Sequence, residues 1–195
     1  VSETFRFTPE ERAQLARLLV DSGAFQVGDF TLASGVRSPY YIDAKRAITR
    51  PDVLALAAAA MAPHIDCDRI AAVELAGIPL AAAVSLAVDK PFVMVRKAAK
   101  AHGTKKRYEG DVRQGETITF VEDVTTTGGS VLDGITVLEE AGAQVLTVVS
   151  LVDRGEGAEE ALFKRGVELV PILDVAALRR AQEEIGALSR GKRRP

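Results

Sequence analysis

Apolar residues change their spacing several times along the chain, and each change marks an element. Residues 8–22 (TPEERAQLARLLVDS) predict a helix: Thr8 caps it, Pro9 takes the first helical position, Glu10 and Glu11 sit in the first turn, and Leu15, Leu18 and Leu19 share one face. From 24 to 43 the pattern shifts to short aromatic and β-branched runs broken by Gly28, Gly35 and Pro39, which predicts a hairpin-like β segment. Pro51 opens an Ala-rich helix to about residue 62. Short continuous apolar runs follow at 70–75, 92–95, 117–121, 145–152 and 167–173, with helical stretches at 79–88 and 130–141. Apolar strands without polar alternation are covered on both faces, so the expectation is an α/β fold, a doubly wound, mostly parallel sheet with helices on both faces. The N-terminal helix and β segment, about residues 1–45, stand apart as a small hood.

One stretch breaks the alternation. Residues 96–116 are polar and aperiodic, and a span of about twenty such residues inside a compact domain is usually a functional loop or a disordered one. It is expected to be a mobile lid or binding loop, or else disordered. The basic end, about residues 188–195, is expected to fray, and the whole of 1–195 reads as one domain.

Composition narrows the function. With 195 residues, 47% hydrophobic and 27% charged, the chain can bury a core without disulfides or a structural metal. Cys67 is the only cysteine, which excludes an internal disulfide and a multi-cysteine zinc site; with no leading apolar segment, a cytoplasmic location is expected. No apolar run approaches the ~18 residues of a membrane span. The formal charge of −2 supplies no global basic field for nucleic acid, yet Arg96, Lys97, Lys100, Lys105, Lys106 and Arg107 crowd one stretch. Small anionic ligands stay open. His64 and His102 are the only histidines, and no spacing suggests a protein-built metal site.

The richest segment is ITFVEDVTTTGGS at 118–130. An apolar strand ends in Glu122 and Asp123, then Val124, and a turn of Thr125, Thr126, Thr127, Gly128, Gly129 and Ser130 leads into a helix. Small residues let successive N–H groups converge on a phosphate at the positive end of that helix. Paired carboxylates at the carboxyl end of a parallel strand can accept hydrogen bonds from a vicinal diol. Together they predict a site for a ribose 5-phosphate group; a Walker loop is excluded because no Gly-Lys-Ser/Thr follows.

This segment resembles the phosphoribosyl pyrophosphate (PRPP) motif of type I phosphoribosyltransferases. Three others narrow the resemblance to the orotate phosphoribosyltransferases: FTLASGVRSPYYID at 30–43, ELAGIPLAAAVS at 74–85 and RKAAKAHG at 96–103. The resemblance covers residues 8–180 and implies transfer of ribosyl phosphate from PRPP to orotate, with release of pyrophosphate, in pyrimidine nucleotide synthesis. It implies that Glu122 to Ser130 bind PRPP with Arg96, Lys97, Lys100 and His102, that Arg96, Lys100 and His102 are catalytic, and that some loop residues act across a homodimer. For orotate it implies Thr126, Arg154 and Tyr41. Magnesium is implied, held mainly by PRPP oxygens and water. The turn after Glu74 is implied to meet pyrophosphate through its backbone, with Gly77 allowing the approach. Two positions depart from the bacterial pattern: Ala33 replaces a PRPP-reaching lysine, and Leu75-Ala76 replaces Tyr-Lys. Lys105, Lys106 and Arg107 read mostly as solvated. Nothing of decarboxylase size follows residue 195, so a monofunctional enzyme is expected. The alternatives are a phosphoribosyltransferase for a purine or other base, against which Arg154 and the 96–102 pattern argue, and a PRPP- or nucleotide-sensing regulator, against which the net charge argues.

Overall fold

The structure is a computed structural model, and it describes residues 7–31, 35–98 and 106–191. Helix α1 (Pro9–Asp21) begins where expected, with a reciprocal cap in which Glu11 N–H donates to Thr8 Oγ1 and Thr8 N–H to Glu11 Oε2. Strands β1 (Phe25–Thr31) and β2 (Arg37–Ile42) form a separate antiparallel hairpin, irregular between Val27 and Phe30. Helices α2 (Lys45–Ile48) and α3 (Pro51–Met61) then lead into the main sheet.

That sheet has six described strands: β3 (Arg69–Val73), β4 (Phe92–Val95), β5 (Tyr108–Glu109), β6 (Thr117–Thr125), β7 (Gln144–Asp153) and β8 (Glu168–Asp174). Their order is β5-β4-β3-β6-β7-β8, all neighbours parallel except β5 on β4. Helices α4 (Gly77–Val88), α5 (Gly129–Glu140), α6 (Ala158–Phe163) and α7 (Val175–Gly191) complete the chain. Two apolar clusters are buried, one with Leu15, Met61, Ile70, Leu80 and Leu178, the other with Phe120, Ile135, Leu138 and Leu162. They draw on different sets of helices, as a doubly wound sheet requires.

The expected fold class is therefore present, with the short helices α2 and α6 added and the following further differences. The stretch 96–116 is not loop throughout: Tyr108 and Glu109 return to the sheet against Val95 and Met94. The 17-residue α7 goes beyond the expected elements; Asp174 Oδ1 accepts from Ala177 N–H at its start, and Ala177, Leu178 and Ala181 are buried. It runs through Gly191, so residues 188–191 of the basic end are helical. Helix α1 adds Leu15, Ala16 and Leu19 to the main core, and the β1–β2 hairpin, a separate sheet, packs on the same core through Phe25, Tyr40 and Ile42.

Strand order reverses between β3 and β6, since the chain first adds β4 on one side of β3 and then β6 on the other. Ligands of open α/β sheets bind at the carboxyl ends of strands at such a reversal. Several of the candidate residues, among them Lys97, Glu122, Asp123 and Arg154, lie there.

Candidate functional site

A cleft of about 420 Å³ opens at these strand ends. It is lined by the end of β6 (Glu122 to Thr125), the turn Thr126 and Gly128 to Ser130, the turn Glu74 to Ala76 after β3, Lys97 after β4, Arg154 after β7, and Asp43 and Lys45 after β2. Five segments distant in sequence meet around one space.

The turn onto α5 has the shape its residues suggest. Gly128 holds φ +80°, in the left-handed region where a side chain would be strained, and its carbonyl accepts from Leu132 N–H. The 12-residue helix therefore starts at the cleft wall, with Gly129 and Ser130 facing the space. Thr126 O accepts from Ala158 N–H, and Thr125 O from Arg154 N–H, so this turn and the one after β7 brace each other. Thr125 is 1% exposed and donates its hydroxyl to Asp153 Oδ1 at 2.7 Å; what it offers a ligand is backbone. Thr127 is exposed and outside the lining.

Glu122 is 8% exposed, with Oε1 accepting from Asp123 N–H and Oε2 buried without a hydrogen-bond partner among the described residues. Burial pushes its carboxyl well above the usual range, and Asp123 beside it adds to the rise. A protonated carboxyl donates as well as accepts, so the upward push on Glu122 suits a pair of ribose hydroxyls.

Lys97 reaches the cleft while its N–H donates to Glu74 Oε1 at 2.8 Å, joining the two turns that end β3 and β4. The Glu74–Leu75 peptide is cis. Gly77 has a packing reason: a Cβ there would lie 3.1 Å from both Ala72 Cβ and Val121 O, so α4 needs glycine to lie against β3 and β6. Arg96 does not line the cleft; its guanidinium meets Glu109 at 3.3 Å. Lys100, His102 and Lys105 lie outside the described residues, as do Ala33 and Ser34.

Arg154 does line the cleft, only 8% exposed, with Nη2 2.7 Å from Glu156 Oε1 and Nε unpaired among the described residues. Its guanidinium lies 5.0 Å from the centre of the Tyr40 ring, which also carries Arg179 at 5.5 Å and packs on Phe25. Tyr41 points elsewhere, against Phe30, and is absent from the lining; Tyr40 supplies the aromatic support beside the site. Asp153 accepts from Thr125 Oγ1 and Gly155 N–H, so it ties the turn rather than pairing with Arg154. Asp43 and Lys45 were not foreseen. They form an ion pair at 2.8 Å on the cleft wall, and Asp43 raises the Lys45 ammonium above its usual range, with further help from Asp123.

The family model described as "Phosphoribosyl transferase domain" matches residues 47–177. Orotate phosphoribosyltransferase of Methanosarcina mazei is 46% identical over 180 residues, covering 91% of this chain and 96% of that protein. The chain belongs to the orotate phosphoribosyltransferase family. Among solved structures, the family's Mycobacterium tuberculosis enzyme in complex with PRPP superposes with a TM-score of 0.72 at 30% identity, over 86% of this chain and 98% of that one. The UMP synthase of Leishmania donovani superposes with a TM-score of 0.81 at 33% identity, over 93% of this chain; this chain spans 40% of that longer one.

Proposed function

We propose that the chain transfers the 5-phosphoribosyl group of PRPP to orotate, forming orotidine 5′-monophosphate and pyrophosphate for pyrimidine nucleotide synthesis in the cytoplasm. The observation that carries the reading is the convergence, in one cleft, of the Glu122–Asp123 pair, the glycine turn at the start of α5, and the Arg154 guanidinium on its aromatic support.

The backbone N–H groups of Thr126 to Ser130 cradle the 5-phosphate at the positive end of α5. Glu122 and Asp123 take the ribose 2- and 3-hydroxyls. The backbone of Glu74 to Ala76 and the Lys97 ammonium receive the pyrophosphate. Arg154, with Thr126, addresses orotate; its planar donors match a carboxylate or a ring carbonyl, and a charge held 8% exposed acts in a poorly screened space. The C1–oxygen bond to pyrophosphate breaks with its electron pair leaving on oxygen, and orotate N1, its proton released to water, supplies the pair for the new bond to C1. Lys100 and His102 stabilise the leaving group, Arg96 being turned to Glu109 outside the cleft lining, and loop residues serve the neighbouring subunit of a homodimer.

Magnesium fits as a passenger of the substrate. Among the described residues no three His, Cys, Asp or Glu side chains converge to hold a metal by themselves, while the unpaired Glu122 Oε2 and the adjacent Asp123 would orient waters of a cation carried on PRPP. When bound, the ion offsets charge on the pyrophosphate.

The test presents PRPP with orotate, uracil, adenine or hypoxanthine. Orotate alone should be consumed, with loss of turnover on chelation of magnesium. Consumption of a purine, or of none of the four, would remove the assignment.

A further inference from the structure

We infer that Arg107 and Asp133 are positioning residues that fix the spacing between the two anion-binding ends of the cleft, and so favour a ligand phosphorylated at both ends. The inference rests on the reading of the cleft as a PRPP site. Neither residue lines the cleft, so neither touches the substrate. Arg107 sits just before β5, where the antiparallel return to β4 places it beside residues 96 and 97; Arg96 N–H donates to Arg107 O at 2.8 Å. Its guanidinium donates from Nη2 to the carbonyls of Arg96 (3.2 Å) and Lys97 (2.9 Å), and from Nη1 to Asp133 Oδ1 at 3.0 Å. Nη2 also meets Asp133 Oδ2, closing a two-point fork.

One planar group thus joins two parts of the cleft wall. On one side is the segment that presents Lys97, itself tied through its N–H to Glu74. On the other is α5, whose first residues, Gly129 and Ser130, border the cleft and whose fifth is Asp133. The pyrophosphate end and the 5-phosphate end therefore share a strut. Each end can bind its own anion without it. A ligand that must fill both at once gains from their fixed separation, because its second contact is then intramolecular and correctly spaced. Arg107 is 28% exposed and Asp133 55%, so the strut is a rim feature rather than a pillar of the core.

The test is calorimetric binding of three ligands to the full chain in magnesium: PRPP, ribose 5-phosphate and pyrophosphate. Arg107→Met and Asp133→Asn should each weaken PRPP about tenfold, the scale of a modest coupling between sites. Ribose 5-phosphate and pyrophosphate should stay within about twofold, as for surface substitutions away from a ligand. Arg107→Lys, which keeps the charge but loses the fork, should weaken PRPP nearly as much. Unchanged PRPP binding in both variants would overturn the strut, and so would equal weakening of all three ligands, which marks general damage to the cleft. If the unaltered chain binds ribose 5-phosphate and pyrophosphate but not PRPP, the proposed function falls first and the inference falls with it.

Discussion

Gly134→Ala tests how closely the helix bearing the proposed phosphate cradle is held to the sheet. Gly134 lies in α5, and a Cβ there would stand 2.8 Å from Phe120 Cζ and 3.2 Å from Val73 Cγ2. Carbon atoms rest at about 3.5 Å or more, so the new methyl is short of room by roughly 0.7 Å. Phe120 is fully buried and cannot swing into solvent, so either the ring leaves its preferred rotamer or α5 lifts from the sheet. Such overpacking costs about 1–3 kcal/mol, against up to ~1 kcal/mol gained by replacing a helical glycine. A net loss of about 1–2 kcal/mol should lower the midpoint of thermal unfolding by roughly 2–8 °C in a chain of this size. Displacement of the cradle relative to Glu122 and Asp123 by a fraction of an ångström should also lower kcat/KM for PRPP, by up to about 100-fold if α5 takes the whole shift. Circular dichroism melts and steady-state kinetics read the two effects, and Phe120→Leu in the Gly134→Ala background should return most of the lost stability. A variant that melts above the parent with unchanged kcat/KM would show that α5 has room and that the cradle is not set by this contact.

Three further outcomes follow from the charges. Glu122→Gln should raise the melting midpoint of the ligand-free protein at neutral pH: the native carboxyl is pushed up, so the unfolded chain ionises first and native stability falls as pH rises from about 4.3, the unfolded value, through the raised native one. The gain should vanish below pH ~4, where Glu122 is neutral in both states, and equal gains at pH 3.5 and 7 would contradict the burial argument. Arg69 and Glu116 form a two-point pair with side chains 8% and 14% exposed, joining β3 to the residue before β6. Arg69→Met should cost about 3 kcal/mol at neutral pH in denaturant melts. Arg69 holds the Glu116 carboxyl below its usual range, so that contribution is present above the unfolded value and should disappear as pH falls through the depressed native one. Arg154→Ala should raise KM for orotate by tenfold or more, about 1.4 kcal/mol, while KM for PRPP stays near the parent's; equal loss with both substrates would place Arg154 outside base recognition.

Much of this architecture is legible in the sequence because continuous apolar runs can only be buried strands, and the five expected ones correspond to β3, β4, β6, β7 and β8. The turn proposed as a phosphate cradle is legible for a related reason: a strand, two carboxylates, three threonines and two glycines in that order mark a tight strand-to-helix turn, which β6, Gly128 and α5 form. What escaped depends on which distant residues meet. Arg107 reads as one more solvated charge until β5 pairs with β4 and brings it to Asp133, 26 residues away. Tyr40 and Tyr41 are adjacent and alike in sequence, and only the hairpin register sends Tyr40 towards Arg154 and Tyr41 towards Phe30. Asp43 and Lys45 gave no local signal, since a single ion pair at a strand end is common; the cleft makes them notable. The end of the chain was legible in principle, with Asp174 as a cap and Ala177, Leu178 and Ala181 at helical spacing, but polar residues on the other faces of α7 dilute the pattern.

The central claim is that one cleft joins ribosyl phosphate to orotate rather than to water or to another base. Its most direct measurement is the product balance with PRPP and orotate present in magnesium. One orotidine 5′-monophosphate and one pyrophosphate should form for each PRPP consumed, with no ribose 5-phosphate. Pyrophosphate released without matching nucleotide, or PRPP left unconsumed, would contradict it.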